Sequence, residues 1–346
     1  MWTVRLTGVP QRVDNNAVSI HGKIYSFDFQ TVSRNLINVH TFDPASHRWD
    51  IVQTRALPNS EPIGIYRHTI VAYGHCAYVW GGWLRGMADN VLFRFDTRTM
   101  EWSRPKVSGK RPKAVCSHSA CVVGRRMYIF ADILSGDTSR RVWFLDLDTM
   151  KWCRVNAKGE APTQACLHSA CAIGTRMYIW GGSVEDPSAA FGFVAVDDIY
   201  YLETTSSTWV RPHVEGIRPA GRQEHSVFAY EGELYVFGGY NHEHICYADM
   251  HKYDPKKSRW TEVKPVGSGP SSRYAHGCCT IGEKVFVFGG NGPLAYPRGR
   301  PLKDMYILHL APTLKNLCVL AVIDAGLDFS RLPPIIRDEI NSVISS

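Results

Sequence analysis

No stretch of this chain approaches the roughly 20 consecutive apolar residues that a membrane span requires. The opening residues, Met1 to Arg5, hold no apolar core of a secretion signal. Cysteine is not scarce, with ten in 346 residues, but zinc-ligand spacing is missing. Most of the thiols, such as Cys121, Cys171, Cys278 and Cys279, fall inside strand-like runs, where cysteine acts as a small buried hydrophobe. Free thiols place the protein in a reducing interior, the cytoplasm, with the nucleus as a second location. No Ser-His-Asp order, phosphate-cradling loop or paired-carboxylate spacing rises above chance, so neither an enzyme nor a cofactor is expected. The net charge of +7 favours acidic groups or carboxylates but is far from a polybasic arm. Arg125, Arg126, Arg140 and Arg141 are scattered as on any solvated surface, and no nucleic-acid or membrane partner is implied.

What is present is a repeat of about 50 residues, within the range of a propeller blade. Its clearest copy runs from His68-Thr69-Ile70-Val71-Ala72 to Cys76-Ala77-Tyr78-Val79-Trp80-Gly81-Gly82, then Asn90 to Asp96, then Glu101-Trp102. The second segment recurs before Gly181-Gly182, Gly238-Gly239 and Gly289-Gly290, and without the glycine pair at Tyr25 to Phe29 and Tyr128 to Asp132. Six such segments predict six blades of four short strands. A second strand packed between two neighbouring blades is buried on both faces and loses its polar alternation. The glycine pair permits positive φ and close backbone approach. Asp43, Asp96, Asp146 and Asp254 precede tight turns that their carboxylates can bond. Trp49, Trp102, Trp152, Trp209 and Trp260 should each offer an apolar face to the next blade.

The sixth repeat has a third strand, Met305-Tyr306-Ile307-Leu308, but no tryptophan of its own, whereas Trp2-Thr3-Val4 has the pattern of a fourth strand. The N-terminal strand is therefore expected to complete the last blade, removing free sheet edges. The organisation predicted is an all-β six-bladed propeller over residues 1–310 and a short helical tail over 311–346. In that tail Leu314, Cys318 and Val322 lie within an arc of one helix face, behind Thr313 as the N-terminal cap. Leu332-Pro333 would open a second helix.

The apolar strand running into Gly-Gly, the late aromatic and Arg-x-x-His before the next first strand resemble the kelch repeat. Thr-Leu-x-x-x-Cys-x-x-x-Val, from Thr313, resembles the Elongin C-binding box, and Leu-Pro-x-Ile-Ile-x-x-x-Ile, from Leu332, resembles the cullin-2 box that follows it. Together they resemble the kelch-repeat substrate receptors of cullin-2 ubiquitin ligases. The resemblance implies a non-catalytic receptor subunit that reads C-terminal degrons, ending in Gly with a basic residue nearby. It implies Elongin C (with Elongin B) docked on Leu314, Cys318 and Val322, and cullin-2 on Leu332, Pro333, Ile335 and Ile336.

In a propeller the loops before each first strand and after each second strand converge at one mouth. The candidates there for substrate contact are Arg67, Trp83, Ser183, Arg222, Gln223, Tyr240, Arg273 and Asn291. Arg67, Arg222 and Arg273 offer forks for a terminal carboxylate, with loop bracing as the alternative for each. Trp83 and Tyr240 offer apolar walls. The sequence departs from the degron receptors in placing Ser183 where an Arg follows the glycine pair of the fourth blade. Cys116 and Ala165 stand where Arg is usual in blades three and four, and the acids Glu185, Asp186, Asp197, Asp198 and Glu224 cluster nearby. Such an acidic rim would select a basic upstream residue. Two other readings compete. A radical-copper kelch oxidase would need a His and Tyr metal site, while the His here recur one per blade. A scaffold for cytoskeletal or chromatin proteins would leave the tail dispensable.

Overall fold

The computed structural model describes residues 1–7, 9, 17–33, 36–56, 64–84, 86–131, 141–163, 166–189, 192–293, 299–334, 336, 337 and 340. Each repeat forms a four-stranded antiparallel meander. Blade 1 consists of Ala17–Ile20, Lys23–Ser33, Leu36–Asp43 and Arg48–Val52. Blade 2 consists of Thr69–Tyr73, Cys76–Trp80, Leu92–Asp96 and Glu101–Ser103. Blade 3 follows with Ser119–Val123, Arg126–Ala131, Arg141–Asp146 and Lys151–Val155. Blade 4 has Ser169–Ile173, Arg176–Trp180, Ile199–Glu203 and Thr208–Val210. Blade 5 has Ser226–Tyr230, Glu233–Phe237, Met250–Asp254 and Arg259–Val263. Blade 6 takes Gly277–Ile281, Lys284–Phe288 and Asp304–His309, and its fourth strand is the N-terminal Trp2–Thr7. First strands touch their neighbours all round the ring, blade 1 meeting both blade 2 and blade 6.

The apolar interior is split into six slabs, one between each pair of blades. Second strands feed two slabs at once. In Cys76–Trp80, Val79 faces the slab shared with blade 1 while Tyr78 and Trp80 face the slab shared with blade 3. This is why these segments read as unbroken apolar runs. The turn aspartates behave as expected: the Asp43, Asp96, Asp146 and Asp254 carboxylates accept from backbone N–H groups two or three residues on, at 2.8 to 3.0 Å.

Two features correct the expectation. The outer-strand tryptophans pack on the preceding blade, not the next. Trp102 lies 5.6 Å from Phe27, Trp152 5.3 Å from Trp80, Trp209 5.3 Å from Phe130 and Trp260 5.6 Å from Trp180. Twist along each blade swings its outer strand over the neighbour that came before. In addition, most blades carry a fifth, two-residue strand from the incoming connection. Arg55–Ala56, Ser108–Gly109, Lys158–Gly159 and Glu215–Gly216 each pair in parallel with the fourth strand of the blade that follows. Three of the four place glycine opposite the tryptophan, where a Cβ on Gly109, at φ +79°, would stand 2.3 Å from the Trp152 carbonyl oxygen; the first has Ala56.

The ring closes through the N-terminal strand. The Met1 ammonium donates to the His309 carbonyl at 2.8 Å, and Trp2 N–H donates to Val266 at 2.8 Å. Trp2 is buried, with its ring 5.8 Å from Phe237 of blade 5. Deleting residues 1–6 removes a buried tryptophan and an entire edge strand, so the melting temperature should fall by about 10 °C or more. Thermal denaturation followed by circular dichroism checks this, and an unchanged transition would refute closure by this strand.

The tail begins with the helix Leu314–Asp324. The Thr313 carbonyl accepts the first helical bond, from Leu317 N–H. Gly326, at φ +60°, ends the helix in a Schellman closure, with Leu327 N–H donating to the Val322 carbonyl at 3.0 Å. A second helical segment starts at Pro333, whose carbonyl accepts from Arg337 N–H at 3.0 Å.

Candidate binding site at the propeller mouth

The segment entering the first strand of blades 2 to 6 turns a tight corner just before a repeated His. The corner residues share one backbone conformation, with φ of 54° at Arg67, 55° at Ser117, 57° at Leu167, 52° at Glu224 and 51° at Ala275. Their backbones link into a chain of hydrogen bonds around the axis. Ser117 N–H donates to the Arg67 carbonyl at 2.9 Å, Leu167 to Ser117 at 3.0 Å, Glu224 to Leu167 at 3.4 Å and Ala275 to Glu224 at 2.9 Å. The residue before each corner bridges to the residue after the glycine pair of the same blade: Tyr66 to Trp83, Cys166 to Ser183, Gln223 to Tyr240 and Tyr274 to Asn291. The two sets of loops thus meet at one mouth, as the repeat predicts. Below it runs an axial channel of about 230 Å³ whose lining includes Thr69, Ser119, Ser169 and Ser226.

The repeated His belong to the scaffold. His118 stands edge-on to Trp80 of the preceding blade at 4.9 Å, His168 to Phe130 at 5.3 Å, His225 to Trp180 at 4.8 Å and His276 to Phe237 at 5.4 Å. They explain the first glycine of each pair, since a Cβ on Gly81 or Gly181 would come within 2.6 Å of the next blade's imidazole. Burial pushes His68, His118 and His276 down to about 3 and His168 to about 4. Burial, aided by Arg222, also drives His225 well below its ordinary value.

Most of the expected contact residues reach the mouth. Arg67 is exposed, and Trp83, Gln223, Tyr240 and Asn291 are half-buried. Ser183 is buried and donates its hydroxyl to Gln223 Oε1 at 2.5 Å. Tyr240 and Tyr274 meet edge-to-face at 4.8 Å. Burial, then the Glu224 carboxylate, holds the Tyr240 phenol well above its usual range, while Arg67 acts in the opposite sense.

Arg222 and Arg273 do not reach the mouth. Both are 0% exposed. Arg222 Nη2 donates to Asp249 Oδ2 at 2.9 Å, Nη1 to the Gly238 carbonyl at 3.2 Å and Nε to the Ala220 carbonyl at 2.9 Å, with Tyr247 stacked at 3.9 Å. Burial alone would raise the Asp249 carboxyl, but the hydrogen bonds from Arg222 and His251 hold it far below the usual carboxylate range. Arg273 repeats the arrangement with Asp304 at 2.9 Å and the Gly289 carbonyl at 3.1 Å. These guanidiniums brace the glycine pair against the start of the third strand, so the alternative of loop bracing holds for both.

The position equivalent to Arg222 also needs correction in the other blades. The Val115 carbonyl, not that of Cys116, accepts from the preceding Gly82 N–H, as the Arg222 carbonyl does from Gly182 and the Arg273 carbonyl from Gly239. Blade 2 has Ile65 there, and Ile65 and Val115 are both buried in apolar slabs. Ala165 lies outside the described residues. The acidic rim is partly spent on structure. Asp198 pairs with Arg211 at 2.6 Å and Asp186 holds the Ser188 turn at 2.9 Å, while Glu224 stands on the inner chain of corners. Sequence reading passed over the ring itself, although its signal was present: one position before each His varies in every blade.

In the tail, Leu314 is 77% exposed, Cys318 is exposed and Val322 is half-buried, whereas Val319 is buried. Leu332 and Ile336 are half-buried and Pro333 is exposed; Ile335 lies outside the described residues.

The sequence profile of the KLHDC2/KLHL20/DRC7 Kelch-repeats domain matches residues 67–290. Kelch domain-containing protein 3 of Bos taurus is 36% identical over 371 residues, covering 100% of this chain and 96% of that protein. Its counterpart in Rattus norvegicus is 37% identical with the same coverage. Acyl-CoA-binding domain-containing protein 4 of Arabidopsis thaliana is 26% identical over 84% of this chain but only 36% of its own length, so related repeats also occur within a larger architecture. With the blade architecture, the profile match and full-length relatives in agreement, the chain belongs to the kelch-repeat family, as a propeller of the KLHDC2/KLHL20/DRC7 type.

Proposed function

We propose that this chain is the substrate-recognition subunit of a cullin-2–Elongin B/C ubiquitin ligase. The mouth receives the C-terminal segment of a substrate, ending in Gly with a basic residue nearby. The tail carries the ligase contacts, and ubiquitin transfer belongs to other subunits. The observation that supports this most is the first tail helix. Its Leu314 and Cys318 face solvent, although a leucine left 77% exposed forgoes the roughly 1.5–3 kcal/mol that burial provides. An apolar ridge with one small residue suits a shallow groove on a partner, in the manner of helix-in-groove recognition. Elongin C is assigned to Leu314, Cys318 and Val322, and cullin-2 to Leu332, Pro333, Ile335 and Ile336.

Co-expression with Elongin B and Elongin C tests the reading. The intact chain should co-purify with them stoichiometrically, and a Leu314→Ala, Cys318→Ala variant should not, while retaining its melting temperature. Failure of the intact chain to bind would remove the ligase reading and leave a scaffold for cytoskeletal or chromatin proteins.

A further inference from the structure

Residues 104–113, which lead into blade 3 along its outer edge, hold five lysines and arginines and no acid. Lys106, Lys110 and Arg111 are exposed there, and so are Lys151 and Arg154 on the fourth strand beside them. Among the described residues none of these cations enters an ion pair. Asp148, at the turn before Lys151, already accepts from the Tyr73 hydroxyl at 2.7 Å and lies 3.9 Å from Arg125. Blade 5 shows that the fold does not require such a charge. Its matching connection has Glu215 in the place of Ser108 and Ile217 in the place of Lys110. There Arg211 pairs with Asp198 at 2.6 Å, and Arg259 lies 4.0 Å from Glu215.

The backbone of the blade 3 edge is open as well. Ser108–Gly109 is the outermost strand of its sheet, and Ser108 turns its N–H inward to the Met150 carbonyl at 2.9 Å. Peptide groups alternate sides along a strand, so those of Val107 and Gly109 face outward. Lysines on such an edge repel a second copy of it, and the same charges attract a strand of opposite sign.

We propose that the outer edge of blade 3 is a docking surface for an acidic, extended protein segment. The segment adds as a strand beside residues 107–109 and sets its carboxylates among Lys106, Lys110, Arg111, Lys151 and Arg154. A peptide strand meets both the N–H and the C=O groups of an open edge. A phosphodiester only accepts, and the outward carbonyls would face its charge. Trp102, Trp143 and Trp152 are buried, which leaves nucleic-acid bases without the indole faces that stack them. First strands line the axis and fourth strands stand farthest from it, so a segment bound here leaves the mouth free.

The test is fluorescence anisotropy with the intact chain and a labelled peptide of alternating Glu and Val, amidated so that it offers the mouth no terminal carboxylate. The peptide should bind at low salt and weaken steeply as salt rises. The combined variant Lys106→Glu, Lys110→Glu, Arg111→Glu should weaken it by about tenfold or more. All three residues being exposed, the melting temperature should not change. The control Lys256→Glu, Lys257→Glu, at an exposed turn of blade 5, should bind as the native chain does. The same peptide N-methylated at alternate residues keeps its charge but loses its strand donors, and should bind weakly. No binding to the intact chain, or an equal loss in the control, would overturn the proposal. Undiminished binding of the N-methylated peptide would overturn strand addition. Oligothymidylate bound more tightly than the peptide, and lost in the same combined variant, would overturn the acidic segment in favour of nucleic acid.

Discussion

Arg222→Ala is expected to destabilise the propeller by about 3–5 kcal/mol, the range for breaking a buried ion pair from one side. The guanidinium is fully buried, and its loss leaves Asp249 with the hydrogen bond to His251 Nε2, at 2.9 Å. It also strands the Gly238 carbonyl, which a buried Arg222 Nη1 satisfies at 3.2 Å. Asp249 is 30% exposed, so water recovers part of the cost and the lower half of the range is the better expectation. Arg222→Lys keeps the charge but not the fork, and should still lose stability. Urea denaturation of the three proteins measures this. The result separates two roles that look alike in sequence. A ligand-binding arginine at an open mouth would leave the urea midpoint in place and abolish peptide binding. A bracing arginine shifts the midpoint first.

That distinction shows where the sequence is legible and where it stops. The blades can be read from it because local chemistry is repeated: apolar runs for strands buried on both faces, glycine where the next blade's His sits against the backbone, aspartate at the turns. The N-terminal strand is legible because blade 6 lacks a tryptophan and Trp2 supplies one. The role of Arg222 is not, because its partner Asp249 lies 27 positions away and becomes a neighbour only when the third strand returns. The chain nonetheless carries an internal clue. Arg222 and Arg273 occur in the blades whose third strands are entered through Asp249 and Asp304, whereas Ile65 accompanies Val91 at the matching places of blade 2. In blade 4 the acid is kept as Asp198 although Ala165 stands three residues before His168, and Arg211 supplies the pairing cation at 2.6 Å. The direction of tryptophan packing and the two-residue parallel strands were hidden for a different reason. Both depend on how far one blade is rotated over its neighbour, which no single repeat encodes. The mouth was half legible. The residues after each glycine pair stood out, but the corners before the His looked like irregular loop and in blades 2 to 6 form a hydrogen-bonded chain.

Acid should unfold this propeller well above the pH at which its carboxylates titrate. His68, His118, His168, His225 and His276 are held neutral by burial, with folded values of about 3 or 4 where a number is given and a strong downward shift at His225. An unfolded His titrates near 6.5. Between these values the unfolded chain binds more protons than the folded one, so stability is fully present above pH 6.5 and declines as pH falls toward the folded values. Each ring contributes about 2 kcal/mol of that decline between pH 6.5 and 5. Five rings acting together would cancel much of a typical folding free energy. The lowered carboxylates, Asp43, Asp96, Asp146, Asp249 and Asp254, contribute only below their unfolded value near 4, so the upper window belongs to His. Urea midpoints measured from pH 7.5 to 5 should drop steeply and do so at high salt as well, because desolvation, unlike repulsion among surface charges, is not screened. His276→Gln, which removes one ring whose burial is complete, should flatten the slope by about one proton even if its own stability is lower. A midpoint that stays level down to pH 5 would mean that these rings gain their protons within the fold, and the reading of them as inert apolar staples between blades would fail.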